Sequence, residues 1–270
     1  MAEALKFLRQ FMYERAGIQL GADKDYLIDS RLRPVLQTAS LPDLDALMHA
    51  LSSAPADALV HAVVSALTTH ETSWFRDRRP FDRLRAEVLP MWRNQAKRDL
   101  RIWSAACSSG QEPYSITMLL SEEGMLAPGW NVRVLASDIC DIVLAQAKGG
   151  RYDAFELERG LPDELRRRYF TPVGKYWQVQ TALAEMIRFQ SINLVKLAAA
   201  TETFDLIFCR NVLIYFDRPT QQKVLQALHE RLAPGGLLFL GPSESPLGLC
   251  DALLPWGDGS GVYCRSEDQG

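Results

Sequence analysis

The chain has 270 residues, 47% of them hydrophobic, with 30 basic and 33 acidic side chains giving a formal net charge of -3. That is enough apolar mass for one large domain or two smaller ones to fold without staples, and a slightly acidic balance argues against a protein held on nucleic acid by bulk electrostatics. Five cysteines with no CxxC spacing argue against a disulfide framework or zinc, and no window approaches the ~20 uninterrupted apolar residues of a membrane-spanning helix. The opening MAEALKFLRQ lacks a basic leader region followed by an apolar stretch, so the expectation is a soluble, cytoplasmic protein with reduced cysteines and no direct membrane insertion.

Residues 1 to 75 read as helices only. Leu5, Leu8, Phe11 and Met12 recur at helical spacing before Gly17, and a second helix carries Tyr26, Leu27 and Leu32, with Asp23 as a candidate cap and Pro34 expected to end or kink it. A third helix is expected from near Pro42 and a fourth from near Pro55, each with one apolar face. From Phe81 the pattern becomes helix and strand in alternation: helix Phe81 to Trp92, strand Leu100 to Ser104, helix Pro113 to Leu120, strand Val132 to Ser137. Alternation of this kind predicts a doubly wound, Rossmann-like parallel sheet. Tyr176 to Gln180 and Met186 to Gln190 read as two short strands joined by a turn, a small antiparallel β insertion within about 151 to 190. The apolar run Leu206 to Phe208 has the near-continuous hydrophobicity of a strand covered on both faces, an amphipathic helix and glycine turn follow, and Val262 to Arg265 supplies a last strand. The expected organisation is a helical domain over 1–75 and a cofactor domain over 76–270.

Three segments converge on the carboxyl edge of that sheet, where ligands of open α/β folds bind. The turn ACSSGQE follows the first strand, with Gly110 as its single glycine and Glu112 at the helix entrance; Asp138 ends the second strand, placed to accept ribose hydroxyls or to cap the next helix; Arg210, Asn211 and Tyr215 follow the fourth. No GxxxxGK[ST] signature is present, which points away from ATP and toward an adenosyl group without a phosphate chain.

The strings LTTHETSWFRD (67–77), WSAACSSGQEPYS (103–115), ASDI (136–139), FQSINL (189–194) and FDLIFCRNVLIYFD (204–217) resemble those of the CheR chemotaxis methyltransferase family, in order and over nearly the whole chain. The resemblance implies an S-adenosyl-L-methionine-dependent protein-glutamate O-methyltransferase acting on the cytoplasmic methylation helices of chemoreceptors. It would yield glutamyl methyl esters and S-adenosyl-L-homocysteine. Carried over by motif, it implies cofactor contacts at His70, Thr72, Arg76, Glu112, Asp138, Asn193, Leu194, Arg210 and Asn211. His70 stands where many relatives have asparagine, and Gln111 where an acid is frequent.

Glutamate is already ionised at neutral pH, with a reference pKa of ~4.3, so transfer to its oxygen needs orientation rather than a general base. Tyr215 is the expected residue to contact the methyl group or aim the carboxylate, and Arg93 a second catalytic candidate that would hold it by charge-assisted hydrogen bonds. Receptor helices are acidic, so a basic docking surface is expected: Lys24 and Arg31 share a helix face, and Arg31 with Arg33 aligns with a basic stretch that relatives use for the receptor. The short TPVGKY turn (171–176) leads to the expectation of an enzyme independent of a receptor carboxyl-terminal pentapeptide. Two other readings stand beside this one: a methyltransferase for another acceptor, and a non-catalytic adaptor that binds S-adenosylhomocysteine.

Overall fold

The computed structural model describes residues 1–21, 23, 25–53, 55–95, 97–258 and 261–269. Four helices come first: α1 (Ala2–Ala16), α2 (Asp25–Thr38), α3 (Leu44–Ser52) and α4 (Asp57–Leu67). Gly17 closes α1 in the left-handed conformation at φ 71°, and the Asp43 carboxylate caps α3 by accepting from the Ala46 N–H at 2.8 Å. Leu8, Met12, Ile28, Leu32, Leu47 and Val63 from all four helices form their own buried core. Of the two outcomes expected at Pro34, an end or a kink, the helix does not end there. The helix runs on to Thr38, because Ile28 and Leu32 before the proline and Val35 and Leu36 after it pack on that core and outweigh one missing backbone bond.

Helix α5 (Arg79–Arg83), a π-helical turn (Leu84–Val88) and α6 (Leu89–Asn94) then lead into β1 (Asp99–Ala105), α7 (Gln111–Glu122), β2 (Asn131–Asp138) and α8 (Asp141–Gly149). The chain continues through β3 (Arg151–Tyr152), α9 (Ala154–Glu158), α10 (Asp163–Tyr169), β4 (Phe170–Val173), β5 (Tyr176–Val179), α11 (Thr181–Ala184) and β6 (Ile187–Ser191). It closes with β7 (Phe204–Cys209), α12 (Arg218–His229), β8 (Leu232–Leu240), β9 (Leu253–Pro255) and β10 (Val262–Arg265).

The main sheet has seven strands in the order β6-β2-β1-β7-β8-β10-β9, with β10 antiparallel to both neighbours and the pairs from β6 to β8 parallel. Its parallel strands alternate between two cores, as a period of two requires. Ile102, Leu206, Phe208, Leu237 and Phe239 face one helical layer, while Trp103, Ile207, Cys209, Leu238 and Leu240 face the other. Phe208 and Phe239 stack with centroids 4.6 Å apart, fixing the register of β7 on β8.

The second, three-stranded antiparallel sheet runs β3-β5-β4 and is the expected small β insertion, with one of its two expected strands corrected. Tyr176–Val179 belongs to the small sheet, but Ile187–Ser191 pairs in parallel with β2 at the edge of the main one. The helical turn α11 separates the two, so they do not form a hairpin with each other.

Candidate functional site

The carboxyl ends of β1, β2 and β7 open onto a cavity of about 90 Å³. Thr68 to Thr72 and Arg76 wall one side; Ala106 to Ser108 and Glu112 form the floor, with Asp138, Asn193, Leu194, Arg210, Asn211 and Tyr215 around them. His70, Thr72, Arg76, Glu112, Asp138, Asn193, Leu194, Arg210, Asn211 and Tyr215, singled out in five separate sequence strings, are thus brought to one cavity.

The floor is built by backbone conformation. After β1 the chain turns sharply, with Ala106 at φ 61° and Ser108 at φ 50°, and Gly110 at φ 96° begins α7. A Cβ on Gly110 would come within 2.9 Å of both Ala147 Cβ and the Tyr152 hydroxyl, so glycine is required there by space as well as by φ. Asp138 secures the turn: one carboxylate oxygen accepts from the Ser108 N–H at 2.9 Å and the other from the Cys140 N–H at 3.0 Å. A carboxylate oxygen can accept more than one hydrogen bond, the chemistry by which an acid at this edge can also take ligand hydroxyls. Burial pushes the Asp138 carboxyl up, opposed by those N–H groups and by His70.

Glu112 stands on the first turn of α7 and Arg210 at the end of β7. They form an ion pair at 3.0 Å; the other Glu112 oxygen accepts from the Ser104 hydroxyl at 2.8 Å. Arg210 is buried, pairs also with Asp77 at 2.7 Å, and donates to the Arg76 carbonyl at 2.8 Å. Its guanidinium lies 5.7 Å from the Phe81 ring centroid. Burial pushes the Glu112 carboxyl above its ordinary range, while Arg210 and Ser104 pull against it.

His70 sits on the cavity wall with its ring turned to the end of α4, its Nε2 2.9 Å from Thr68 Oγ1 and 3.1 Å from the Ser65 carbonyl. Its own carbonyl accepts from the Ser108 hydroxyl at 2.8 Å, tying wall to floor through backbone. The imidazole is lowered by burial but raised on balance by Cys140, Ser65 and Asp138. Asn193 is engaged at both ends: its amide donates to the Arg15 carbonyl at 2.6 Å and its oxygen accepts from the Val195 N–H at 3.1 Å. The end of α1 is thereby pinned over the cavity, where Ala16 and Ile18 join the lining and the Gln19 N–H donates to the Tyr215 carbonyl at 3.1 Å.

Arg93 is a correction. Its guanidinium forms an ion pair with Glu123 at 3.0 Å and donates to the Glu123 carbonyl, past the far end of α7. Glu112 and Glu123 are separated along the helix by roughly 16 Å at 1.5 Å per residue. Arg93 therefore joins two elements at the opposite edge of the sheet and is not placed to hold an acceptor in this cavity.

Of the expected docking cations, Lys24 lies outside the described residues. Arg33 is exposed and pairs with Asp29 at 3.3 Å. Arg31 donates to the Thr68 carbonyl at 3.2 Å and reaches Thr69 Oγ1 at 3.5 Å, so it braces the cavity wall from behind.

Four contributors were not singled out from the sequence. Asp77 lay within the first quoted string; Glu244, which holds the loop after β7, follows the end of β8 as an acid among small residues. Ala16 and Ile18 had no local signal, since long-range contacts, the antiparallel bridge from Ile18 to Phe216 and the Asn193 bond to the Arg15 carbonyl, bring them there.

A sheet of this order with a left-handed turn after β1 and an acid ending β2 is the frame of a Rossmann-like S-adenosyl-L-methionine-dependent methyltransferase. The comparisons name the family. The model described as "CheR methyltransferase, SAM binding domain" matches residues 70–250, and "CheR methyltransferase, all-alpha domain" matches residues 3–68. The chain is 42% identical over 250 residues to chemotaxis protein methyltransferase Cher2 of Pseudomonas putida, covering 90% of each. It is 40% identical over 247 residues to chemotaxis protein methyltransferase 1 of Pseudomonas aeruginosa, covering 89% of each. A chemotaxis protein methyltransferase of Vibrio parahaemolyticus is 42% identical over 245 residues, which cover 90% of this chain and 89% of that one.

This chain belongs to the CheR methyltransferase family and is an S-adenosyl-L-methionine-dependent methyltransferase of chemotaxis. No helix among the described residues is long and apolar enough to cross a membrane.

Proposed function

We propose that the chain methylates glutamate side chains on the cytoplasmic methylation helices of chemoreceptors, giving glutamyl 5-O-methyl esters and S-adenosyl-L-homocysteine, and that it works in the cytoplasm. The observation that carries this reading is the joint construction of the cavity: the helical segment supplies Ala16, Ile18 and Thr68, and the sheet supplies Glu112, Asp138 and Tyr215. An acceptor held by the helices therefore reaches the same space as the cofactor. The family's cofactor, when bound, supplies a methyl group on a positively charged sulfur.

Glu112, Asp138, Asn193, Leu194, Arg210 and Asn211 are the residues that would hold it, with His70, Thr72 and Arg76 from the wall. The new bond is between a glutamate oxygen and the methyl carbon, and the bond broken is that carbon to sulfur. A negative and a positive charge disappear together, so a site that excludes water favours the step. Tyr215 would aim the carboxylate; its half-buried position on the cavity, adjoining the helical segment, supports this reading. Residues 1–75 are the receptor-recognition domain and residues 76–270 the methyltransferase domain in this reading, with Arg31, Arg33 and Lys24 presenting positive charge to acidic helices.

Independence of a receptor pentapeptide is part of the proposal. Strand β4 is an edge of the small sheet and carries Pro172, and a proline in an edge strand discourages strand addition. Calorimetric binding of a receptor-tail pentapeptide would overturn this part. The main reading is tested by incubating the protein with methyl-labelled cofactor and receptor cytoplasmic domains. Label released as methanol by mild base is expected; base-stable label, or transfer to no receptor, would defeat it.

A further inference from the structure

Glu244 lies in the turn after β8, is buried at 7% exposure, and is not among the side chains that line the cavity. Its carboxylate accepts from four backbone N–H groups: Asn211 at 2.8 Å, Val212 at 2.8 Å, Leu213 at 2.7 Å and Gly241 at 2.6 Å. Three of these are consecutive. Asn211 is held at φ 58°, so the amides of the turn converge on one point, the arrangement by which successive backbone N–H groups bind an anion. Nothing larger than glycine fits across from it: a Cβ on Gly241 would lie 2.6 Å from Glu244 Oε2 and 3.0 Å from the Asn211 nitrogen. The loop secured in this way carries Arg210 on one side and Tyr215 on the other, both on the cavity.

We propose that Glu244 is a positioning residue for methyl transfer, its carboxylate filling the anion nest at 211–213 and so setting Asn211 and Tyr215 against the acceptor and cofactor. The proposal rests on this cavity being the methyl-transfer site. The role demands an ionised carboxylate, which only accepts hydrogen bonds. Glutamine has nearly the same shape but turns an NH₂ donor against N–H donors, and alanine leaves the nest open.

The test uses the full chain as Glu244→Gln, Glu244→Asp and Glu244→Ala variants, each first shown to be folded by cooperative denaturation. In Glu244→Gln, kcat is expected to fall tenfold to about a hundredfold, the effect of roughly 1 Å of misplacement, with S-adenosylhomocysteine affinity changed far less. Amide hydrogen exchange should show lost protection at 211–213 in Glu244→Gln and Glu244→Ala, and retention of part of it in Glu244→Asp. Formate should restore both protection and turnover to Glu244→Ala in a saturable way, because a free carboxylate can occupy the nest.

A folded Glu244→Gln with wild-type kcat, or one that loses turnover while amides 211–213 stay protected, would overturn the proposal. If Glu244→Ala does not fold, Glu244→Gln and Glu244→Asp decide it. Wild-type protein that binds S-adenosylhomocysteine but methylates no receptor domain would count against the acceptor reading alone. The exchange measurement would then still decide whether Glu244 holds the turn.

Discussion

Arg210 and Glu112 stand 3.0 Å apart on the cavity floor, one ending a central strand and the other opening a helix 98 residues earlier in the chain. With Asp77 at 2.7 Å on the same guanidinium, they tie three sequence segments together at the cofactor edge. Removing one member of such a set leaves an uncompensated buried charge. Arg210→Ala is expected to cost about 3–5 kcal/mol of stability. Combining Arg210→Met with Glu112→Gln should cost much less, since it leaves fewer unpaired charges. Urea denaturation of the two variants checks this, and equal midpoints would show that the pairing carries no such cost.

The Glu112 and Asp138 carboxyls are both raised above their ordinary values of 4.5 and 3.8, in each case first by burial. Between the unfolded and the raised native pKa the native state binds more protons than the unfolded one. Stability from these groups is therefore present at low pH and lost as pH rises through the native values. With Asp138 assigned to ligand hydroxyls as proposed, cofactor binding has the opposite sign: affinity should fall as pH drops through the raised native value, because an ionised carboxylate is the stronger acceptor. Calorimetric titration of S-adenosylhomocysteine against pH, with Asp138→Asn as comparison, measures it. An unchanged pH profile in that variant would contradict the assignment of the proton to Asp138.

Asn193→Ala releases the end of α1 from the cavity. One hydrogen bond to the Arg15 carbonyl and one from the Val195 N–H are lost, worth about 1 kcal/mol each. The expected result is faster dissociation of S-adenosylhomocysteine, read by stopped flow, with only a modest drop in thermal midpoint.

Gly110→Ala should be more damaging than a surface glycine change. It places a side chain at φ 96° and within 2.9 Å of Ala147 Cβ and the Tyr152 hydroxyl. A loss of about 1–3 kcal/mol from the backbone conformation alone is expected, together with weaker cofactor binding. Gly129→Ala, also at positive φ but with open space around its Cβ, is the control for the backbone term.

Arg33→Glu and Arg31→Glu separate docking from architecture. Arg33 pairs with the exposed Asp29 across one helical turn, away from the cavity lining, so its reversal should weaken receptor methylation and leave S-adenosylhomocysteine affinity unaltered. Reversing Arg31 should weaken both, because Arg31 also holds the Thr68 carbonyl behind the cavity wall. The sequence led to the simpler expectation that Arg31 serves the receptor alone. Parallel binding and methylation assays on the two variants distinguish these outcomes.

The sequence by itself determined the parts that depend on local periodicity and edge chemistry. Apolar runs such as Leu206 to Phe208 specified buried strands, the helical spacing of Leu8 and Met12 specified a helix, and residues ending strands, such as Asp138 and Arg210, fell at the ligand edge. Tertiary structure alone decided where side chains of flexible reach found partners. Arg93 turned to Glu123 because α6 lies beside the far end of α7, and Ile187–Ser191 joined the main sheet because β2 offered a free edge. Pro34 stayed within α2 because packing outweighed one absent hydrogen bond, and Glu244 reached the amides of Asn211 to Leu213 because β7 and β8 end side by side. Propensity acts over a few neighbouring residues, whereas those outcomes depend on which distant surfaces the completed fold brings into contact.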